Sequence, residues 1–445
     1  MLPSAKPSTF LTYCDKIAFI LLCIVTIDTC IFGAGELISI GPIGFRQVLL
    51  VLLGLASIPV VISKRKELLR NKYLWFVGAF LVWVVISVFW GPTDAQAIEI
   101  IMPSFNSFIY FIILPIALVL ISSKRRVYTL MKCVIWGSLL LSIIAIIHLV
   151  LYLYAPSSIM DYLIETGYDL YFSRVAFVSD TIPRLVFLSG LYMIGGCVFS
   201  VYFSITEKNS KSQWLYWITT ALSLFALLIS YTRAIYLGMI VSAIGVFVTI
   251  LISKNKQHLK KLAICTVASL AIFGIVLSGF SILARTNYFS YAFTRSAIIL
   301  QDPIDSDSSD GESSDTDKFN ELTQLSDQGR IEVITRLIDN IKRSPIIGNG
   351  FGSDVSTEYF FLDIWGKSGI IGLLLFLLPL FEIFRQIFIN KKQGICSRKT
   401  QVMWLSLLLG IMTYSLLNPY ISSYLGIFVY SCTMAITTKS KTTEQ

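Results

Sequence analysis

Arginines and a short run of carboxylates are the residues of this chain best suited to chemistry. Arg233 sits in Tyr231-Thr232-Arg233-Ala234, Arg330 follows Gly329, Arg174 and Arg184 flank Asp180, and Asp354, Glu358 and Asp363 crowd the stretch before Gly369. A guanidinium stays charged in a partly dry site, and its planar fork bonds phosphate oxygens two at a time. Several of them aimed at one face therefore suit a diphosphate and can replace a divalent metal. A carboxylate at a partly desolvated membrane edge, its proton affinity raised toward neutrality, can serve as a proton acceptor. Asp354 shares a face with Glu358 if 353–366 is helical, with Asp363 roughly opposite. Each residue also has a plainer reading. Arginines near helix ends snorkel to lipid headgroups, and these acids can simply pair with Arg330 or Arg343.

Other chemistries find little support. The two histidines are His148, inside an apolar run, and His258, beside Lys256 and Lys260, so a Ser-His, Cys-His or His-metal site on the outer face is nearly excluded. For His148, and for Asp28 inside the first apolar run, a helix-to-helix hydrogen bond is the expected role. The eight cysteines contain no Cys-x-x-Cys pair, which argues against a disulfide framework or a zinc site. The turn Gly348-Asn349-Gly350-Phe351-Gly352 has no Lys-Ser or Lys-Thr after it; a nucleotide P-loop is excluded, and plain loop chemistry is the expected reading.

The elements that must position these residues cross a membrane. The chain is 55% hydrophobic and only 14% charged, the composition of a polytopic membrane protein. Apolar runs of roughly 17–25 residues, long enough for a hydrocarbon core, can be read near 17–35, 46–63, 73–90, 99–122, 129–154, 184–205, 214–230, 235–253, 262–283, 368–389, 401–418 and 424–438. The expected fold is an all-α polytopic integral membrane protein of about twelve transmembrane helices. Residues 1–283 carry the first nine, 284–367 form one large outward loop, and 368–445 carry the last three and a tail. Basic clusters at 64–72, 124–126, 254–261 and 391–399 fall on alternate loops, which puts both termini in the cytoplasm. The net charge of +9 thus reports topology and contact with anionic membrane lipids, not nucleic-acid binding. The first residues show no signal-peptide cleavage pattern and lead into the first span, so no segment is expected to be removed.

With that orientation three segments face outward: 155–183, the link Tyr231–Ala234, and 284–367. The last contains an acidic, Ser-rich tract between Asp305 and Asp317, which reads as a mobile flap. Beyond it Ile334, Leu337 and Ile341 recur at helical spacing with Arg330 on the same face, while Arg336, Asp339 and Arg343 point elsewhere. This predicts an amphipathic helix on the outer membrane surface, stopped by Ser344-Pro345, with Arg330 toward the bundle. Tyr359, Phe360, Phe361 and Trp365 present aromatic rings at the bundle's outer end, as interfacial aromatic belts do.

Several of these motifs carry a resemblance. Gly329-Arg330, then Ser344-Pro345-Ile346-Ile347-Gly348-Asn349-Gly350-Phe351-Gly352, then Gly369-Ile370-Ile371-Gly372 opening a helix, are similar to the O-antigen ligase and polymerase family. Tyr231-Thr232-Arg233-Ala234-Ile235-Tyr236-Leu237-Gly238 resembles the Ser-Arg element that family members carry about a hundred residues earlier. The resemblance covers roughly 180–390, and the rest by layout only. One departure matters: ligases of this family typically place a His-Asn pair where this chain has Glu358-Tyr359. That favours the polymerase branch. The resemblance then implies a metal-independent glycosyl transfer, without a cofactor, in the bacterial inner (plasma) membrane. Oligosaccharide repeat units on undecaprenyl diphosphate would be joined on its outer face into O-antigen, capsular or exopolysaccharide chains. A chain-length regulator and a flippase are the implied partners. Arg233, Arg330 and Glu358 are the expected catalytic residues, and Arg184, Arg174, Arg343, Tyr231, Asp354 and Tyr359 the expected contacts to diphosphate and glycan. Ligation to lipid A core is the second choice. A carrier of lipid-linked sugars is the third, although carriers gather polar residues near the bilayer midplane and show related halves, whereas here the charges gather at the outer edge.

Overall fold

The computed structural model describes residues 9–33, 39–40, 43–91, 101, 108–154, 173–179, 182–187, 189–207, 210–253, 256–283, 315–351, 359–389 and 395–438. The elements run α1 (Thr9–Phe32), β1 (Ser39–Ile40), β2 (Ile43–Gly44), α2 (Phe45–Ser63), α3 (Arg65–Leu68), α4 (Lys72–Val88) and α5 (Ile113–Leu120). They continue with α6 (Lys124–Tyr154), β3 (Ser173–Ser179), β4 (Ile182–Phe187), α7 (Leu191–Thr206), α8 (Ser210–Ile229), α9 (Arg233–Ser253) and α10 (Lys256–Leu283). The last are α11 (Asp315–Arg343), α12 (Phe360–Phe384), α13 (Arg398–Tyr414) and α14 (Tyr424–Thr437). Among the described residues, seven helices are long and apolar enough to cross a membrane, and four further apolar ones are shorter, Lys72–Val88, Tyr110–Leu120, Leu191–Thr206 and Tyr424–Thr437.

The bundle is built for a hydrocarbon surround. Ile240, Ile244, Phe247 and Leu251 form an exposed stripe down α9, and Val51, Leu55, Ile58 and Ile62 another down α2. Contiguous apolar surface on this scale is not left to water in a soluble protein. Inside, α7 and α14 are buried on nearly every face, as is most of α13, so they form the centre around which the longer helices stand. Buried hydroxyls are satisfied locally. Thr26 donates to Leu22 O at 2.7 Å, Ser57 to Leu53 O at 2.6 Å and Ser406 to Val402 O at 2.7 Å, as the absence of water in lipid requires.

Close helix contacts depend on small residues. On α9, Gly238, Ser242 and Gly245 face Ser406 and Gly410 of α13; a Cβ at Gly238 would meet Gly410 O at 2.6 Å, and one at Gly245 would overlap Ser406. Ser242 donates to Ser406 O at 3.0 Å across this seam. Small residues of this kind let membrane helices gain dispersion contact where lipid supplies no hydrophobic drive.

The runs read near 46–63, 73–90, 235–253 and 424–438 match helices to within two residues at each end. α1 and α10 begin earlier, at Thr9 and Lys256, residues 99–100 and 102–107 of the run read near 99–122 lie outside the described residues, and two runs differ in kind. The run read as helical from 184 begins its helix at Leu191; before it lies an antiparallel hairpin, β3 with β4, in which Arg174 pairs with Val186 and Ala176 with Arg184. Alternation explains this, because Leu185 and Phe187 are buried two residues apart, a period of two rather than 3.6. The run read from 368 begins its helix at Phe360 and changes direction within it. The acidic tract read as a flap lies outside the described residues up to its end, where α11 starts at Asp315.

Gly245→Val should force α9 and α13 apart and lower stability by about 1–3 kcal/mol, seen as a fall in the detergent unfolding temperature. Gly78→Ala, with open space around its Cβ, should leave that temperature unchanged or slightly raised.

Candidate functional site

A break in α12 organises the end of the bundle that carries the Gly-rich turn. Gly369 lies inside the helix with φ 70° and ψ −179°, a conformation that interrupts the hydrogen-bond ladder and that side chains rarely adopt. The groups this frees are taken up by the turn after α11. Asn349 N donates to Gly366 O at 2.8 Å, Gly350 N to Lys367 O at 2.9 Å, and Ile370 N to Pro345 O at 3.0 Å. Side chains complete the seam: Asn349 Nδ2 donates to Asn340 O at 2.7 Å, Trp365 Nε1 to Pro345 O at 2.9 Å and Trp83 Nε1 to Ser368 O at 2.8 Å. The glycines permit backbone to lie on backbone, since a Cβ at Gly348 would overlap Lys367 O and one at Gly369 would overlap Ile346 O. The Asn349 and Gly350 amides are spent on carbonyls, in keeping with plain loop chemistry.

Beneath the turn lies an ion pair the sequence reading did not single out. Lys367 is 1% exposed, and its Nζ lies 2.9 Å from Asp363 Oδ1 one helical turn earlier. The spacing sets Asp363 roughly opposite Asp354 and Glu358 if 353–366 is helical. The described helix starts at Phe360, while Asp354 and Glu358 lie outside the described residues. Tyr359, just before α12, is buried, and its carbonyl accepts the Asp363 amide at 2.8 Å. The signal available in the sequence was an Asp-x-x-x-Lys pair at helical spacing inside an otherwise apolar run.

The arginines are carried by elements that touch. In α11, Leu337 and Ile341 are buried and Arg330 is half-buried on the same face, while Arg336, Asp339 and Arg343 are exposed, as the spacing predicts. α11 packs on both α12 and β3, and β4 packs on α8. The ladder places positions 174, 176, 184 and 186 on one face of the hairpin, opposite the face that buries Leu185 and Phe187. α8 leads into the link that carries Arg233, a half-buried residue at the start of α9. In that link Tyr231 is 1% exposed with φ 46°, a left-handed conformation unusual for a bulky side chain. Strain of this kind costs about 1–3 kcal/mol and gathers at functional sites. Thr232 Oγ1 donates to Ser230 O at 3.0 Å and Tyr236 Oη to Leu228 O at 2.7 Å, which together hold the link in place.

The remaining polar candidates resolve as bundle contacts. His148 Nδ1 lies 2.9 Å from Ile144 O of its own helix, and its ring meets Phe187 edge to face at 5.9 Å. Asp28 accepts from Arg46 Nε at 2.6 Å, a helix-to-helix pair as expected. All eight cysteines are free. Among the described residues, no group of three His, Cys, Asp or Glu side chains comes together.

Residues 218–377 match a family model described as O-antigen ligase. This region runs from within α8 to beyond the break in α12, and it contains Tyr231, Arg233, Arg330, the Gly-rich turn and Lys367. The family covers O-antigen ligases and related polymerases, membrane enzymes of glycosyltransferase type. No curated protein and no solved structure matches the chain.

Lys367→Met leaves Asp363 buried without its partner and should cost about 3–5 kcal/mol, whereas the Lys367→Met, Asp363→Leu double variant should recover most of that loss; unfolding in detergent measures both. Gly369→Ala should lower the same transition, because its Cβ overlaps Ile346 O whichever rotamers its neighbours adopt.

Proposed function

From the premise that residues 218–377 form an O-antigen ligase-family region, we propose that this protein is a polymerase of lipid-linked glycans. It joins undecaprenyl-diphosphate-linked oligosaccharide repeat units into O-antigen, capsular or exopolysaccharide chains on the outer face of the inner membrane. In this reading α1, α2, α4 to α10 and α12 to α14 make about twelve crossings with both termini cytoplasmic, and 284–367 is the outer segment. A flippase supplies the units and a chain-length regulator limits them.

The hydroxyl at the non-reducing end of one unit attacks the anomeric carbon of a second, longer chain. The new glycosidic C–O bond forms as the bond from that carbon to the lipid diphosphate breaks, and the hydroxyl proton passes to a base. The diphosphate gains negative charge as it leaves, so fixed cations aimed there lower the barrier most. Arg330 and Arg233 take that role with Arg184 behind them, which supplies the charge a metal ion otherwise would. Glu358 is the base; Asp354, Tyr359, Tyr231, Arg174 and Arg343 border the diphosphate and glycan. The observation that carries this reading is Arg330, a half-buried guanidinium on the bundle-facing side of α11, in a helix tied through Asn340 to the turn and break inside the matched region. A second reading, ligation to lipid A core, has the description of the matched family, O-antigen ligase, in its favour and Glu358-Tyr359, in place of His-Asn, against it.

Purified protein with its lipid-linked repeat unit in EDTA should give a glycan ladder. Arg330→Ala or Arg233→Ala should lower kcat by about 10²–10³-fold with a smaller change in KM, and Glu358→Gln should also abolish the ladder while folding persists. Units left single but moved across proteoliposome membranes would overturn the transferase reading in favour of a carrier. Transfer to lipid A core without polymerisation would replace it with the ligase.

A further inference from the structure

The most deeply buried arginine among the described residues is Arg46, 5% exposed in the first turn of α2. Its Nε donates to Asp28 of α1 at 2.6 Å, with Asp28 6% exposed, and its Cζ lies 4.7 Å over the ring of Tyr424 at the start of α14. Tyr424 is 8% exposed, and its ring stands 5.2 Å from that of Tyr110. This cluster lies at the same end of the bundle as Arg233. Ser189 Oγ donates to Ile31 O at 3.0 Å and Tyr192 Oη to Leu425 O at 3.0 Å, while Gly190 abuts Ile235 in the first turn of α9.

A buried ion pair by itself is only an expensive way to hold helices together. What points to a ligand is that two polar atoms in the same contact, Arg46 Nη2 and Tyr424 Oη, are buried with no hydrogen-bond partner among the described residues. Such orphans are costly to leave unmet, and a ligand oxygen reaching into this contact would satisfy them. Asp28 already neutralises Arg46, so a phosphate would bring an uncompensated charge into this site, whereas a neutral hydroxyl or amide oxygen would not. Tyr110, half-buried with its ring beside that of Tyr424, leaves an aromatic surface of the kind that suits the C–H side of a pyranose.

We propose that Arg46, Tyr424 and Tyr110 form a sugar-binding point that takes a neutral oxygen of the substrate glycan, separate from the arginines assigned to the diphosphate. Asp28 is its positioning residue, holding the guanidinium over the ring with one nitrogen left to donate. The inference rests on the polymerase reading in that the glycan is the one carried by the lipid-linked unit.

The test uses full-length protein in nanodiscs and two probes, the lipid-free repeat-unit oligosaccharide released by mild acid, and inorganic diphosphate. Tyr424→Phe keeps the ring and removes the hydroxyl; Arg46→Lys keeps the charge and removes the fork. Each should weaken oligosaccharide binding by about tenfold and leave diphosphate binding unchanged, and Tyr424→Phe should leave the ligand-free unfolding temperature in place or raise it. Unchanged oligosaccharide affinity in both variants would overturn the site. So would a lowered unfolding temperature without loss of affinity, which would mark a bridging water that serves only packing. Wild-type protein that binds the oligosaccharide through Tyr424 yet builds no ladder would keep this site and sink the polymerase reading. A ladder formed by Tyr424→Phe at the wild-type KM would do the reverse.

Discussion

Backbone hydrogen bonds between residues 345–350 and the break in α12 are the constraint on which one end of this bundle depends. A helix interrupted in a membrane protein exposes carbonyls and amides that hydrocarbon cannot satisfy. Here the carbonyls of Gly366 and Lys367 and the amide of Ile370 find their partners in the chain that follows α11. That contact needs glycine at 348 and 369, where any side chain would overlap a carbonyl. It ties α11 to α12, so the height and facing of Arg330 follow from helical register rather than from a free loop. The same seam covers Lys367 and Asp363 and fixes the approach of Trp83 from α4.

Charge is distributed under the same constraint. Ionisable groups inside a bundle are costly unless paired, and the two most enclosed pairs, Arg46 with Asp28 and Lys367 with Asp363, both lie toward the end of the bundle that carries Arg233. At the opposite end Arg126 pairs with Asp15 where both are partly exposed, and Arg65, Lys66, Arg70, Lys124 and Arg125 are exposed. The interior between the two ends is carried by hydroxyls bonded to their own helices and by small residues such as Gly245 and Gly410, which add no charge and allow close approach. A rigid, nearly uncharged middle with enclosed charge at one rim suits chemistry at a membrane surface better than passage through it.

The sequence by itself determined the membrane class, the positions of the apolar runs and the helical stripe of α11, because each depends on local periodicity and on transfer of side chains from water to lipid. It also exposed the Tyr231–Gly238 and Ser344–Gly352 motifs, since glycine and proline announce where the backbone must turn. Tertiary structure decided what local pattern could not. Lys367 and Arg46 looked like ordinary residues in greasy runs, and only their packing shows that one pairs within its helix and the other reaches back to Asp28. The residues from 184 read as the start of a helix because most are apolar, and became part of the strand Ile182–Phe187 because a partner strand satisfied its backbone. The turn glycines could have served a ligand or another piece of chain; their partners, Gly366 and Lys367, stand well over a dozen residues further on, so that choice was made by long-range hydrogen bonding, which no local sequence window contains.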